Sequence, residues 1–136
     1  MSLRGGVCHT PAMEKVTGIG GVFFAARDPE ALTRWYAEYL GVDAPPAEYG
    51  TSSWRQQAGA TVFAPMAADS PHLAATAGSW SINFRVRSLD ALVEQLRASG
   101  IDVEIDPETY PNGRFASLAD PEGNAIQLWQ PAGADA

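Results

Sequence analysis

One cysteine, Cys8, is all that the 136 residues contain, which excludes an intrachain disulfide and any zinc or iron–sulfur site built on thiolates. Histidine is nearly as scarce. His9 falls in an N-terminal stretch without periodicity and His72 in a proline-containing loop, so neither sits on a strand at ligand spacing. Cys8 beside His9 has the composition of a nucleophile and its base, yet neighbours in such an arm lack the orientation that activation requires. Basic residues are few: nine Lys and Arg against sixteen Asp and Glu give a net charge of −7, with no basic cluster, which disfavours nucleic acid and suits neutral or cationic partners. Long apolar runs are missing as well. The longest, Gly20 to Ala26, has seven residues where a spanning helix needs about twenty, so no membrane partner is expected. No charged segment leads into an apolar one at the start, and a cytoplasmic address is the expectation. The chain offers no Ser-His-Asp set, no phosphate-cradling glycine loop and no convincing pair of catalytic carboxylates.

What is present is the composition of one globular domain, 46% apolar and 18% charged, and an internal repeat. At an offset of 60, Gly21-Val22-Phe23-Phe24-Ala25-Ala26-Arg27 aligns with Ser81-Ile82-Asn83-Phe84-Arg85-Val86-Arg87, and Glu30-Ala31-Leu32 with Asp90-Ala91-Leu92. Each copy opens on alternation of period two. Trp80, Ile82, Phe84 and Val86 point one way and Ser81, Asn83, Arg85 and Arg87 the other, which describes a half-buried strand. A helix follows in each. Asp28 caps the first, Pro29 starts it, Leu32, Trp35, Tyr36, Tyr39 and Leu40 form its stripe, and Gly41 closes it. Ser88 caps the second, with Leu89, Leu92, Val93 and Leu96 as the stripe, Arg97 in the last turn and Gly100 as the stop. Short β segments come next: 54–57 and 60–64 in the first copy, 103–105, 115–119 and 125–130 in the second. Asp120-Pro121-Glu122-Gly123-Asn124 reads as a hairpin turn that sets Ser117 opposite Gln127 and Phe115 opposite Trp129. The expected fold is α+β, two βαβββ modules in a pseudo-twofold arrangement whose curled mixed sheet forms an open cleft. Residues 1–15 form an arm, 16–131 the domain (modules about 16–66 and 80–131), and 132–136 a tail.

The opening Val16-Thr17-Gly18-Ile19-Gly20-Gly21-Val22, the Ala26-Arg27-Asp28-Pro29-Glu30 entry into a helix ending Tyr39-Leu40-Gly41, and the terminal Asp120–Trp129 segment resemble the vicinal oxygen chelate superfamily. This is the glyoxalase, bleomycin-resistance and extradiol-dioxygenase group. The resemblance implies that metal-dependent relatives hold a divalent ion at positions falling here on Gly21, Ser81 and Gln127, with a further one near residues 62–64, which offer no donor. A transition ion needs three or four imidazole, carboxylate or thiolate groups, so no cofactor is expected and a divalent metal is not favoured at this site. Relatives usually dimerise, and a homodimer is expected.

The helix-free face of the sheet is expected to present Phe23, Asn83, Arg85, Ser117, Gln127 and Trp129, with Phe115 beside them. A guanidinium at Arg85 calls for a carboxylate such as Asp106 or Glu108, for exposure at the rim, or for an anionic or carbonyl-bearing ligand. Trp129, Phe115, Trp54 and Phe23 either wall a site for a planar or apolar ligand or serve packing. Tyr110-Pro111-Asn112-Gly113-Arg114 is either a lid that brings Tyr110 or Arg114 to the cleft or a plain turn. Three functions fit: metal-independent binding of a small organic molecule, a divalent-metal-dependent lyase (lactoylglutathione lyase-like) or dioxygenase, and a structural or regulatory module with a filled cleft. Whether the protein is an enzyme stays open at this level.

Overall fold

A computed structural model describes residues 13–73 and 80–136 of the chain. Cys8 and His9 lie outside the described residues.

The second copy of the repeat forms a complete unit because each of its elements is specified locally. Strand β1 (Ile82–Arg85) leads into helix α2 (Leu89–Ala98). The Ser88 hydroxyl accepts from the Ala91 amide at 3.2 Å, and the Gln130 carboxamide oxygen accepts from the Leu89 amide at 2.7 Å, so two of the free donors at the helix start are satisfied. Beyond α2, Arg97 donates to the Val103 carbonyl at 2.8 Å and steers the chain into β2 (Glu104–Ile105). Strands β3 (Gly113–Ala119) and β4 (Ala125–Pro131) form the expected hairpin, with Ser117 opposite Gln127 and Phe115 opposite Trp129. In its turn one Asp120 carboxylate oxygen accepts from the amides of Glu122 and Asn124 at 2.8 and 3.0 Å. β1 runs parallel to β4, β2 and β3 antiparallel, and the sheet order is β1-β4-β3-β2.

Helices cover one face of this sheet. Leu89, Val93 and Leu96 of α2 are buried against Ala116, Leu118, Ile126 and Leu128. Each such large side chain contributes about 1.5–3 kcal/mol of burial. Ile82, Phe84 and Val86 flank the same core, so the parity read from the alternation is the one observed.

Helix α1 (Pro29–Trp35) follows its predicted cap, Asp28 accepting from the Ala31 amide at 3.1 Å, and then widens into a π turn over Tyr36–Leu40 that ends at Gly41 with φ 71°. Its Leu32 and Tyr36 enter the core of the second unit. The Glu122 carboxylate accepts from the amides of both Arg27, at a short 2.6 Å, and Asp28, at 2.9 Å, which fixes the start of α1 on the β3–β4 turn.

The fold is thus α+β with a mixed sheet, and the structure differs from the expectation in one respect. The segments 21–27, 54–57 and 60–64 of the first copy do not enter the sheet, whose four strands all come from the second copy. Alternation disposes a segment to a half-buried strand but does not supply its neighbour. Here the unit's helix has gone to the second core, while Val22, Phe23, Val62 and Phe63 stay exposed.

Candidate functional site

The register places two rows of side chains across the helix-free face. One is polar: Asn83, Gln127, Ser117 and Glu104 are successive partners across β1, β4, β3 and β2. Asn83 donates from Nδ2 to Oε1 of Gln127 at 2.7 Å, so the two carboxamides form one bridge. That bridge leaves the Gln127 amide N–H donors and the Asn83 carbonyl oxygen without a partner among the described residues, with the Ser117 hydroxyl next in line.

The second row is Arg85, Trp129 and Phe115. The Trp129 and Phe115 rings lie nearly parallel, 4° apart in plane with centroids at 6.3 Å. Tyr110 meets Phe115 edge-on at 5.8 Å and donates its hydroxyl to Asp106 at 2.9 Å. That hydrogen bond to a carboxylate, more than burial, raises the Tyr110 phenol above its ordinary pKa. Trp129 is only 3% exposed, and its indole N–H donates to the Asn112 carbonyl at 2.8 Å. Its edge is therefore fixed, and a ligand would reach the row at Phe115 and Tyr110, which are both half-buried.

Arg85 has no carboxylate partner among the described residues; neither Asp106 nor Glu108 reaches it. It donates instead to the Gln57 carbonyl at 3.1 Å and lies so close over Gly59 that a Cβ there would collide with the guanidinium. This brings the 57–59 segment of the first copy against the edge of the candidate site.

The structure thus brings together Asn83, Arg85, Tyr110, Phe115, Ser117, Gln127 and Trp129. It does not bring in Arg114 or Phe23. Arg114 alternates to the helix face of β3, where it makes two 3.0 Å hydrogen bonds to Asp90 in the first turn of α2. That pairing holds the Asp90 carboxyl below the usual range and raises Arg114. Phe23 is 95% exposed. The Tyr110–Gly113 loop is a closed turn in which Tyr110 and Gly113 exchange both backbone hydrogen bonds at 3.0 Å. Asn112 also accepts from the Ala132 amide at 3.0 Å, so the loop is tied down on the side of β4.

Sequence reasoning missed a second cluster, on the helix side. Phe24 packs on Trp80 and Tyr36, Tyr36 on Phe84, and Trp35 on both Tyr36 and Tyr39. The Tyr36 hydroxyl donates to Asp120 at 2.7 Å. Burial, then this hydrogen bond and the carboxylate's charge, push its phenol far up. The signal lay in the helix stripe together with the aspartate of the hairpin turn, two motifs read separately.

The positions at which metal-dependent relatives are expected to hold an ion do not fit one. Gly21 has no side-chain donor, Ser81 offers a hydroxyl, and the Gln127 carboxamide oxygen is engaged by Asn83. Among the described residues no three His, Cys, Asp or Glu side chains converge as a ligand set.

Comparison with known proteins identifies the family. A model of the glyoxalase-like domain matches residues 21–129. No curated protein matches the chain significantly. Among solved structures, a glyoxylase/bleomycin resistance protein/dioxygenase domain from Frankia sp. EAN1pec is 18% identical over 86% of this chain and 99% of its own, with a TM-score of 0.51, and shares the fold. TnmS3, an antibiotic binding protein from Streptomyces sp. CB03234, is 25% identical over 77% of this chain and 88% of its own, with a TM-score of 0.47. A glyoxalase family protein from Bacillus anthracis is 27% identical over 41% of this chain, with a TM-score of 0.36, and the match spans 45% of that relative's length. With its matched domain covering most of its length, the chain belongs to the glyoxalase-like domain family of the vicinal oxygen chelate superfamily.

Proposed function

We propose that this protein binds a small organic molecule on the helix-free face of its sheet, through neutral polar and aromatic side chains and without a divalent metal. The observation that carries this reading is the Asn83–Gln127 bridge. Its Gln127 falls at a position where the resemblance puts an ion ligand in metal-dependent relatives, and the bridge offers an amide donor, a carbonyl acceptor and the neighbouring Ser117 hydroxyl to a ligand. Phe115 and Tyr110 supply apolar contact beside them. Such a site recognises carbonyl and hydroxyl groups on a planar or apolar body. The net charge of −7 favours neutral and cationic molecules over anions.

The metal-dependent lyase or dioxygenase reading would need ligands that Gly21, Ser81 and Gln127 do not supply. A carboxamide such as Gln127 cannot exchange protons near neutral pH, so it offers no general base in its place. A filled cleft, the structural reading, does not account for Asn83 and Ser117, which are exposed on this face.

A thermal-shift screen across neutral, cationic and anionic aromatic compounds, run with elemental analysis of the purified protein, tests the reading. Stabilisation by neutral or cationic members is expected. Replacing Gln127 by Ala should then weaken binding about tenfold, ~1.4 kcal/mol. Stoichiometric zinc, nickel, iron or manganese, or a ligand whose affinity ignores Gln127→Ala and Asn83→Ala alike, would overturn it.

A further inference from the structure

The two edge strands of the sheet carry opposite charge on its helix-free face. In β2 and its flanks Asp102, Glu104, Asp106 and Glu108 alternate with Val103, Ile105 and Pro107. Val103 is buried and Ile105 packs on the core, so strand parity sends Glu104 to the helix-free face, where it is the cross-strand partner of Ser117. The Asp106 amide donates to the Phe115 carbonyl at 2.9 Å, which sets Asp106 at the end of the aromatic row. At the opposite edge, β1 contributes Arg85 to the same face beside Trp129. Between the edges, among the described residues, neither β3 nor β4 adds an ionisable side chain to this face. Their residues there are Phe115, Ser117, Gln127 and Trp129, with glycine, alanine and proline at the ends.

The two signs do not neutralise each other. Three strand spacings of about 4.8 Å hold the edges roughly 14 Å apart. The half-buried Arg85 side chain has the Gln57 carbonyl as its acceptor and no carboxylate, and the Glu104 carboxylate has no partner among the described residues. On the helix side, by contrast, Arg114 and Asp90 pair directly. An open hollow of about 530 Å³ adjoins the acidic edge, lined by Glu104, Asp102 and Ser117, with Arg97 held on the Val103 carbonyl.

A guanidinium partly withdrawn from water gains from an anion, the Glu104 edge gains from a cation, and the aromatic row between them accepts a flat apolar body. The net charge of −7 opposes a plain anion, but not a molecule whose carboxylate is balanced by its own amine. We propose, resting on the reading of this face as a binding site, that the ligand is dipolar: a flat molecule with a carboxylate or similar anionic group toward Arg85 and an ammonium toward Glu104 and Asp106, the two roughly 10–14 Å apart. Its long axis runs across the strands.

Four biphenyl probes read this polarity. One carries a carboxylate at one para end and an aminomethyl group at the other, the second is its methyl ester, the third its N-acetyl derivative, and the fourth bears both caps. They share the flat body and differ in which end is charged. In calorimetry at low ionic strength the dipolar compound should bind about fivefold more tightly than its ester and about twofold more tightly than the N-acetyl acid, in line with single charge pairs that are half-buried and exposed. Arg85→Gln should abolish the first preference and Glu104→Gln the second, and salt of several hundred millimolar should shrink both. A dipolar compound no tighter than its ester, or preferences that survive both substitutions, would overturn the proposal. Equal binding of all four, weakened by Gln127→Ala, removes the polarity and leaves the binding face standing. Binding of none also removes the polarity, while the face itself is then judged by the thermal-shift screen with Gln127→Ala and Asn83→Ala. If a variant does not fold, the wild-type ranking and its salt dependence decide alone.

Discussion

The buried side chain with the most distinctive protonation behaviour is Tyr36, whose hydroxyl donates to Asp120 inside the core between α1 and the β3–β4 turn. Asp120 is 5% exposed and keeps further donors without it, the amides of Glu122 and Asn124 and the Asn124 carboxamide at 2.7 Å. Tyr36→Phe should therefore cost about 1.5 kcal/mol, the lower end for a hydrogen bond to a charged group, because the carboxylate is not left bare. The pH dependence follows from the direction of the shift. The folded phenol is held above its ordinary value of 10.0, so above about pH 10 the unfolded chain ionises while the folded one keeps its proton. The stabilisation is complete below pH 10 and is lost as pH rises beyond it. Urea unfolding near pH 7 and pH 10.5 should show the gap between wild type and Tyr36→Phe narrowing on the alkaline side. A gap of constant size would show that the phenol does not titrate differently in the two states.

At the scale of elements, the second module was legible because each of its signals is local. Ser88, Arg97 and Gly100 punctuate α2, and the Asp-Pro-Glu-Gly-Asn turn fixes the register that pairs Ser117 with Gln127 and Phe115 with Trp129. Most of the candidate site follows from that register, since residues on alternate positions of paired strands must share a face. Arg114 shows the opposite case: the sequence offers the Tyr110–Arg114 run as a lid or a turn, whereas β3 begins at Gly113 and parity sends Arg114 to α2. The same boundary yields a prediction. Gly113 has φ 135°, and a Cβ there would collide with the Gln130 carbonyl and lie 2.9 Å from Nε1 of Trp129. Gly41, at φ 71°, has nothing near a new Cβ. Gly113→Ala should cost about 1–3 kcal/mol more than Gly41→Ala, because it adds collision with backbone to the strain both share. It should also change the near-ultraviolet circular dichroism, since the Trp129 indole is displaced from Asn112. Equal losses of stability and an unchanged tryptophan band would mean that the turn relaxes freely.

For the whole molecule, the repeat predicted two similar units, and what no local pattern could reveal is that the helix of the first packs on the core of the second. Non-local pairing depends on which surfaces meet, and the two periodicities are silent on that. Beside that apolar packing the halves share one identifiable polar joint at the entry to α1. The Glu122 carboxylate accepts from the backbone amides of Arg27 and Asp28, its side chain is 13% exposed, and the Arg27 side chain adds only a long 3.9 Å contact. Because the acceptor sits on the β3–β4 turn and both donors lie at the entry to α1, losing it should loosen one half without unravelling the other. Glu122→Ala leaves two amide donors without their acceptor, a cost of about 1–3 kcal/mol. Hydrogen exchange should then speed up at Leu32, whose amide bonds back to the Asp28 carbonyl, and through α1, while amides in the centre of β3 and β4 keep their protection. If the hairpin amides lose protection in step with those of α1, the two halves unfold as one unit and Glu122 is not the clamp between them.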